Sequence, residues 1–369
     1  MGERTKKRLV VKVGTNTLTA GEDRLARPAM LGVVRQIAKL VREGHQVALV
    51  SSGAIVAGRQ ALSVSRNGKD IPFKQVLAAV GQAKLMQMWD DLFSKEDLIV
   101  AQTLLTRGDL ADRQGYLNAR NTLLALLERQ VVPIINENDV VATEEIKIGD
   151  NDNLSALVAN LIDADLLILL TDQEGLYTAD PRRHSTATLI PEVRVISDEI
   201  LALAAGAGTA RGTGGMTTKL QAARLATESG VTVLVAGGTA DNVLVRSVTG
   251  EPVGTRFPSN RTRMESRKRW ILAGLTGKAA AHIDAGAVTA LGRGRSLLPA
   301  GVVNVKGPFD RGDSVNIVGP EGKAIGCGVA NYSAADLERI KGCRSAQITA
   351  ILGYNFGDEV IHRNNVVML

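Results

Sequence analysis

The sequence is poor in cysteine, aromatics and histidine. It has Cys327 and Cys343 alone among 369 residues, 3% Phe, Trp and Tyr, and four histidines. Two cysteines cannot frame a disulfide scaffold, and without a CxxC pair no thiolate metal site is expected. His45, His184, His282 and His362 have no spacing that suggests a metal site or a catalytic triad, and His45 reads as a turn residue after Gly44. No apolar run approaches the ~20 residues needed to cross a bilayer, so no membrane is expected. The basic start MGERTKKRLVVKVGT passes into a strand-like run without a small-residue cleavage site, so it is not read as a signal peptide. Together these point to a reducing, cytoplasmic setting.

Several motifs are missing too. No G-x-G-x-x-G follows the first strand-like run, which argues against a dinucleotide domain. The glycines before Lys219 do not form G-x-x-x-x-G-K-[ST], and no G-x-S-x-G elbow or protein-kinase set occurs.

The charge balance is uneven. Lys and Arg total 44 against 38 Asp and Glu, a formal net charge of +6. Residues 1–259 hold 29 of each sign, so the whole excess lies in the last third. Arg261, Arg263, Arg267, Lys268 and Arg269 crowd into nine positions. Such a cluster reads as a solvated linker or as the footprint of an anionic partner.

The first 258 residues alternate β-branched runs with helical patterns. RLVVKV, QVALVSS, DLIVAQTLL, VVPIINEN, DLLILLTD and VTVLVAGG are almost continuously apolar. Strands of that kind are covered on both faces, so the expected fold is an α/β/α sandwich with a mostly parallel central sheet. After residue 258 short apolar segments are broken by turn signals such as AGA, GRGR, LPAG and GPEG. They predict a small β-rich unit with one helix-like stretch, SAADLERIKG. The expected organisation is a catalytic domain over 1–258, a linker over 259–275 and a second domain over 276–369.

Polar and glycine residues cluster just past the apolar runs. They are Lys12-Val13-Gly14-Thr15, Ser51-Ser52-Gly53-Ala54, Asn136-Glu137-Asn138-Asp139 and Thr171-Asp172, with two glycine-containing runs, 149–153 and 212–219, that open helices. Ligands of open α/β sheets bind at this edge. Glycine lets the backbone approach a ligand, and helix N-termini offer free N–H groups to anions. Lys12 and Lys219 stand among these amides. Anion-binding helix ends with lysines, and no nucleophile elbow, fit phosphoryl transfer, which asks for positioning and charge compensation. Asp139, Asp150, Asp152 and Asp172 could hold the lysines or bind Mg²⁺ through water.

At this point VVKVGTNTL, LVSSGAIVAG, LLTRGDLADRQGYLNARNTL, VVPIINENDVVATEEIKIGDNDNLSA, LLTDQEGLYTADPR and GTGGMTTKLQAA together resemble the glutamate 5-kinases of the amino acid kinase superfamily. SLLPAGVVNVKGPFDRGDSVNI and GCGVANYSAADLERIKG resemble the PUA domain that many members carry. The resemblance runs essentially end to end. It implies the amino acid kinase fold and phosphorylation of the L-glutamate side-chain carboxylate by ATP with Mg²⁺, the first step of proline biosynthesis. It implies ATP contacts at Lys12, Thr171, Asp172, Thr213, Gly214, Gly215, Met216, Thr217, Thr218 and Lys219. It implies glutamate contacts at Ser52, Asp139 and Asn151, with the Gly53 amide beside them, and Asp152 orienting the two lysines. No direct metal ligand is implied. Proline as feedback inhibitor and a homodimer or homotetramer follow from the resemblance alone. Asn16 departs mildly from the family, where serine is more usual. The rivals are another amino acid kinase, of the acetylglutamate kinase or aspartokinase type, and an RNA-binding or RNA-modifying protein with a basic tail. The tail has few aromatics for stacking bases, which weakens the RNA reading.

Overall fold

The computed structural model describes residues 6–64, 70–142, 151–205, 215–259 and 275–368. Proximity of Cα atoms divides the chain into two compact units, Met1–Ala111 with Asn118–Arg263, and Asp112–Leu117 with Met264–Leu369. Residues 260–274, most of the expected linker, lie outside the described residues.

The first unit is built on strands β1 (Arg8–Val13), β2 (Gln46–Ser51), β3 (Val100–Leu105), β4 (Val132–Glu137), β5 (Leu166–Thr171), β6 (Thr232–Gly237) and β7 (Thr255–Phe257). They form one sheet in the order β3-β4-β2-β1-β5-β6-β7. Every pairing is parallel except that of the short edge strand β7 with β6. Helices connect these strands: α1 (Thr15–Thr19), α2 (Arg27–Arg42), α3 (Ala54–Leu62), α4 (Ile71–Phe93), α5 (Arg107–Ala111), α6 (Arg113–Glu128), α7 (Asn151–Leu161), α8 (Asp198–Ala205), α9 (Met216–Glu228) and α10 (Val243–Thr249).

Alternation along β1 sorts its side chains between the two layers. Leu9, Val11 and Val13 join Met30, Val34 and Ile37 of α2 in the main core. Val10 and Lys12 fall on the other face of the pleat, where α7 packs on β1 and α9 packs on α7. Lys12 is therefore directed to a layer bounded by two helix N-termini. The α2 helix forms because Pro28 stands in its first turn and its apolar residues recur at helical spacing. It stops at Gly44, whose φ of +89° lies in the left-handed region. After that turn His45 is buried, and its Nδ1 accepts the Lys7 N–H at 3.0 Å.

Helices α3 and α4 cross unusually closely. A Cβ added at Gly58 would stand 1.9 Å from the Leu77 carbonyl oxygen, and one at Gly81 would stand 1.7 Å from that of Ala54. Backbone meets backbone at both positions, which fixes α4 against the carboxyl end of β2. The buried Trp89 of α4 ties the pair down, donating from its indole nitrogen to Ser51 Oγ at 3.0 Å.

The second unit carries β8 (Leu275–Ile283), β9 (Val302–Lys306), β10 (Ser314–Val318), β11 (Ala324–Val329) and β12 (Val366–Met368), in the order β12-β11-β10-β8-β9. The β8–β10 pair is parallel and the other three are antiparallel. The expected helix over SAADLERIKG is α12 (Ala334–Ile340), capped by Ser333 Oγ, which accepts from the Asp336 N–H. Two more helices were not expected, α11 (Ala285–Gly292) and α13 (Ile348–Leu352). The AGA triplet read as a turn lies inside α11, because the Asp284 side chain caps it by accepting from Ala287 N at 2.7 Å.

Candidate active site

The carboxyl ends of β1, β2, β4 and β5 and the N-termini of α7 and α9 supply the predicted residues. Lys12 lies one residue short of the end of β1, between Val50 of β2 and Leu169 of β5. Its ammonium folds back to within 3.4 Å of where a Gly14 Cβ would stand, so glycine leaves it room. From the first turn of α9 comes Lys219, and from the first turn of α7 comes Asp152.

These three side chains meet. Lys12 Nζ lies 2.7 Å from Asp152 Oδ1, and Lys219 Nζ lies 3.2 Å from Asp152 Oδ2. Thr218 Oγ1 also donates to Asp152 Oδ2, at 2.6 Å. Asp152 is fully buried, with Lys12 5% and Lys219 6% exposed. Burial alone would raise the pKa of Asp152, but the two ammonium groups and the bonds from Lys12 and Thr218 override it and hold the carboxyl far below its ordinary range. The trio is thus two cations on one anion, a surplus positive charge withdrawn from water. A desolvated surplus of that sign is suited to a polyanion.

Around it the first turn of α9 runs through Met216 and Thr217, with Gly215 as its cap in extended conformation. Thr217 Oγ1 donates to Ala204 O at 3.3 Å. Thr213 and Gly214, expected in the same nucleotide loop, lie outside the described residues, as does Asp150. At the end of β5, Thr171 Oγ1 donates to Asp172 Oδ1 at 3.1 Å, and Asn16 Nδ2 of α1 donates to Asp172 Oδ2 at 3.1 Å. The Asn16 departure is thus accommodated by a bond between α1 and β5.

On the β2 side, Gly53 caps α3 with φ +111°, a conformation that excludes most side chains. Asn151 Nδ2 donates to Ser52 Oγ at 3.0 Å and to Asn136 Oδ1 at 2.9 Å. Asp139 stands half-buried two residues past β4, and burial pushes its pKa up to about 6. The sequence marks Asn136 only as one member of a polar cluster; its side chain is the hub, since Asn136 Nδ2 also donates to Gln82 Oε1 at 2.8 Å. Gln82 itself was not anticipated, because nothing marks one glutamine in the middle of a long helix. Among the described residues no group of three or more His, Cys, Asp or Glu could hold a metal ion, and no helix is long and apolar enough to cross a membrane.

Fold and site define a kinase of the "Amino acid kinase family", whose model matches residues 7–237, and the PUA domain model matches residues 280–352. The chain is 56% identical over 361 residues to the "Glutamate 5-kinase" of Herpetosiphon aurantiacus, covering 98% of both chains. It is 52% identical over 373 residues to that of Dehalococcoides mccartyi, covering 100% of each, and 51% identical over 367 residues to that of Deinococcus radiodurans, covering 98% of this chain and 100% of the other. The chain therefore belongs to the glutamate 5-kinases with a C-terminal PUA domain.

Proposed function

We propose that the chain transfers the γ-phosphoryl group of ATP to the side-chain carboxylate of L-glutamate, giving L-glutamyl 5-phosphate and ADP. One observation carries the reading: two buried lysines converge on the buried carboxylate of Asp152. A glutamate side chain ionises near ~4.3, so at neutral pH the nucleophile is already a carboxylate and needs no general base. The obstacle is repulsion between that carboxylate and a triphosphate. In this reading Lys12 and Lys219 face the transferring phosphoryl group and offset the repulsion, while Asp152 holds both ammonium groups in register. The α9 N-terminus, Thr171 and Asp172 serve the nucleotide; Ser52, Gly53, Asp139 and Asn151 serve the amino acid. Both carboxylate oxygens of Asp152 are taken by lysines, which makes it a poor metal ligand. Mg²⁺ brought in with the nucleotide would take its ligands chiefly from the triphosphate and water and would add positive charge against the transferring group.

Full-length similarity to glutamate 5-kinases favours L-glutamate over the substrates of acetylglutamate kinase or aspartokinase. Proline, with the same amino acid head group, acts as an inhibitor that overlaps the glutamate site in this reading, in a homodimer or homotetramer. The acyl phosphate product is trapped by hydroxylamine. L-glutamate with ATP and hydroxylamine yields the γ-hydroxamate, and added proline lowers the yield. Absence of hydroxamate from L-glutamate, with product from aspartate or N-acetylglutamate instead, would overturn the substrate assignment.

Asp139 gives a prediction about pH. Only its ionised form sets a negative charge against the α-ammonium of the substrate, the neutral form offering no more than a carbonyl acceptor, and burial pushes its pKa up to about 6. The value of kcat/KM for L-glutamate therefore holds level above that pH and falls as the pH drops through it, since this parameter reports ionisations of the free enzyme. Asp139→Asn raises KM and abolishes the inflection. A variant that kept the parental pH profile would remove Asp139 from this role.

A further inference from the structure

The polar side chains at the carboxyl ends of β2 and β4 form one hydrogen-bonded chain. Asn151 Nδ2 donates to Ser52 Oγ and to Asn136 Oδ1, and Asn136 Nδ2 donates to Gln82 Oε1. The direction of every bond is set, and two groups remain over. Asn151 Oδ1, an acceptor, and Gln82 Nε2, a donor, are both buried without a hydrogen-bond partner among the described residues. Unsatisfied buried amide groups are costly and rare. Two of them in one chain, beside the residues proposed to serve the amino acid, call for a ligand with a donor and an acceptor of its own.

An α-amino acid head group has that pairing. Its ammonium only donates and its carboxylate only accepts. Asp139 accounts for the ammonium in the reading above, on which this inference rests, and Asn151 Oδ1 is a second acceptor for it, but no group yet answers the α-carboxylate. Gln82 is also placed rigidly. It follows Gly81, the residue whose bare Cα sits against the α3 backbone, so its amide rides on a locked helix rather than on a loop.

We propose that Gln82 is a specificity-determining residue whose Nε2 donates to the α-carboxylate of the substrate. Its Oε1, occupied by Asn136, fixes which face of the amide the substrate meets.

The test compares three carboxylic acids with the full-length protein: L-glutamate, glutarate, which lacks the amine, and 4-aminobutyrate, which lacks the α-carboxylate. Each is measured as a substrate or, where turnover is slow, as a competitor of L-glutamate. Gln82→Leu lowers kcat/KM for L-glutamate and glutarate about 10–100-fold, mainly through KM, as expected for a lost bond to a charged group. The same variant leaves 4-aminobutyrate unchanged. Gln82→Glu keeps the acceptor for Asn136 but replaces the donor with a negative oxygen, so it loses more on L-glutamate and still spares 4-aminobutyrate. Equal losses on all three compounds would reduce Gln82 to a support for Asn136 and overturn the proposal, as would undiminished kcat/KM for L-glutamate. Failure of the parent protein to make any hydroxamate from L-glutamate would instead strike the substrate assignment itself.

Discussion

Lys12→Ala and Lys219→Ala each lower kcat by about 10²–10³, the loss seen when one preorganised donor to developing charge is removed, while the melting midpoint moves little. The asymmetry follows from the geometry around Asp152. Without Lys219, the carboxylate keeps Lys12 at 2.7 Å; without Lys12, it keeps Lys219 at 3.2 Å. In both variants the buried anion retains a counter-charge, so the fold is spared and only the surplus positive charge disappears. That surplus is what a carboxylate approaching a triphosphate requires. Arginine does not restore the rate at either place, because its planar fork demands a different geometry from a point charge. Steady-state kinetics at saturating substrates, with thermal melts of the same preparations, separate the two effects. A variant with near-parental turnover would dismiss that lysine from phosphoryl transfer.

Asp152→Ala has the opposite signature. It leaves two ammonium groups, 5% and 6% exposed, facing each other with no anion between them. Removing one member of a buried ionic group typically costs ~3–5 kcal/mol, so the melting midpoint of the first unit falls sharply. Inorganic triphosphate then raises the midpoint of Asp152→Ala more than that of the parent, since a polyanion bound only by the folded state replaces the missing negative charge. Asp152→Asn lies between the two. It can still accept from Thr218 but brings no charge. An Asp152→Ala protein that melts like the parent would mean that the two lysines are held apart by something other than this carboxylate.

Much of the first unit was legible along the chain because its signals are local. Runs such as LLILL mark strands covered on both faces, and Lys12 stands out as a charge inside one. The run of glycine and threonine before Lys219 marks a helix N-terminus open to anions. Strand order was not legible in that way, since β1 sits between β2 and β5, and its pairing with β5 joins residues more than a hundred positions apart. The meeting of both lysines on Asp152 was implied by the family resemblance and not by spacing. Gln82 and the side-chain role of Asn136 escaped notice because their meaning comes from a neighbour 54 residues away. In the second unit, Asp284 was the missed cue. Its side chain overrides the loop-like Ala-Gly composition and starts α11.

The α3–α4 crossing bears on how mutagenesis around this pocket should be interpreted. At Gly58 and Gly81 the opposing atoms are peptide carbonyls, which cannot swing aside as a side chain would. One extra methyl at either place pries the helices apart and drags the whole wall holding Gln82 and Trp89 out of alignment. Inactive alanine mutants at these two glycines thus report a lost spacing between two rods rather than the loss of a group that meets substrate.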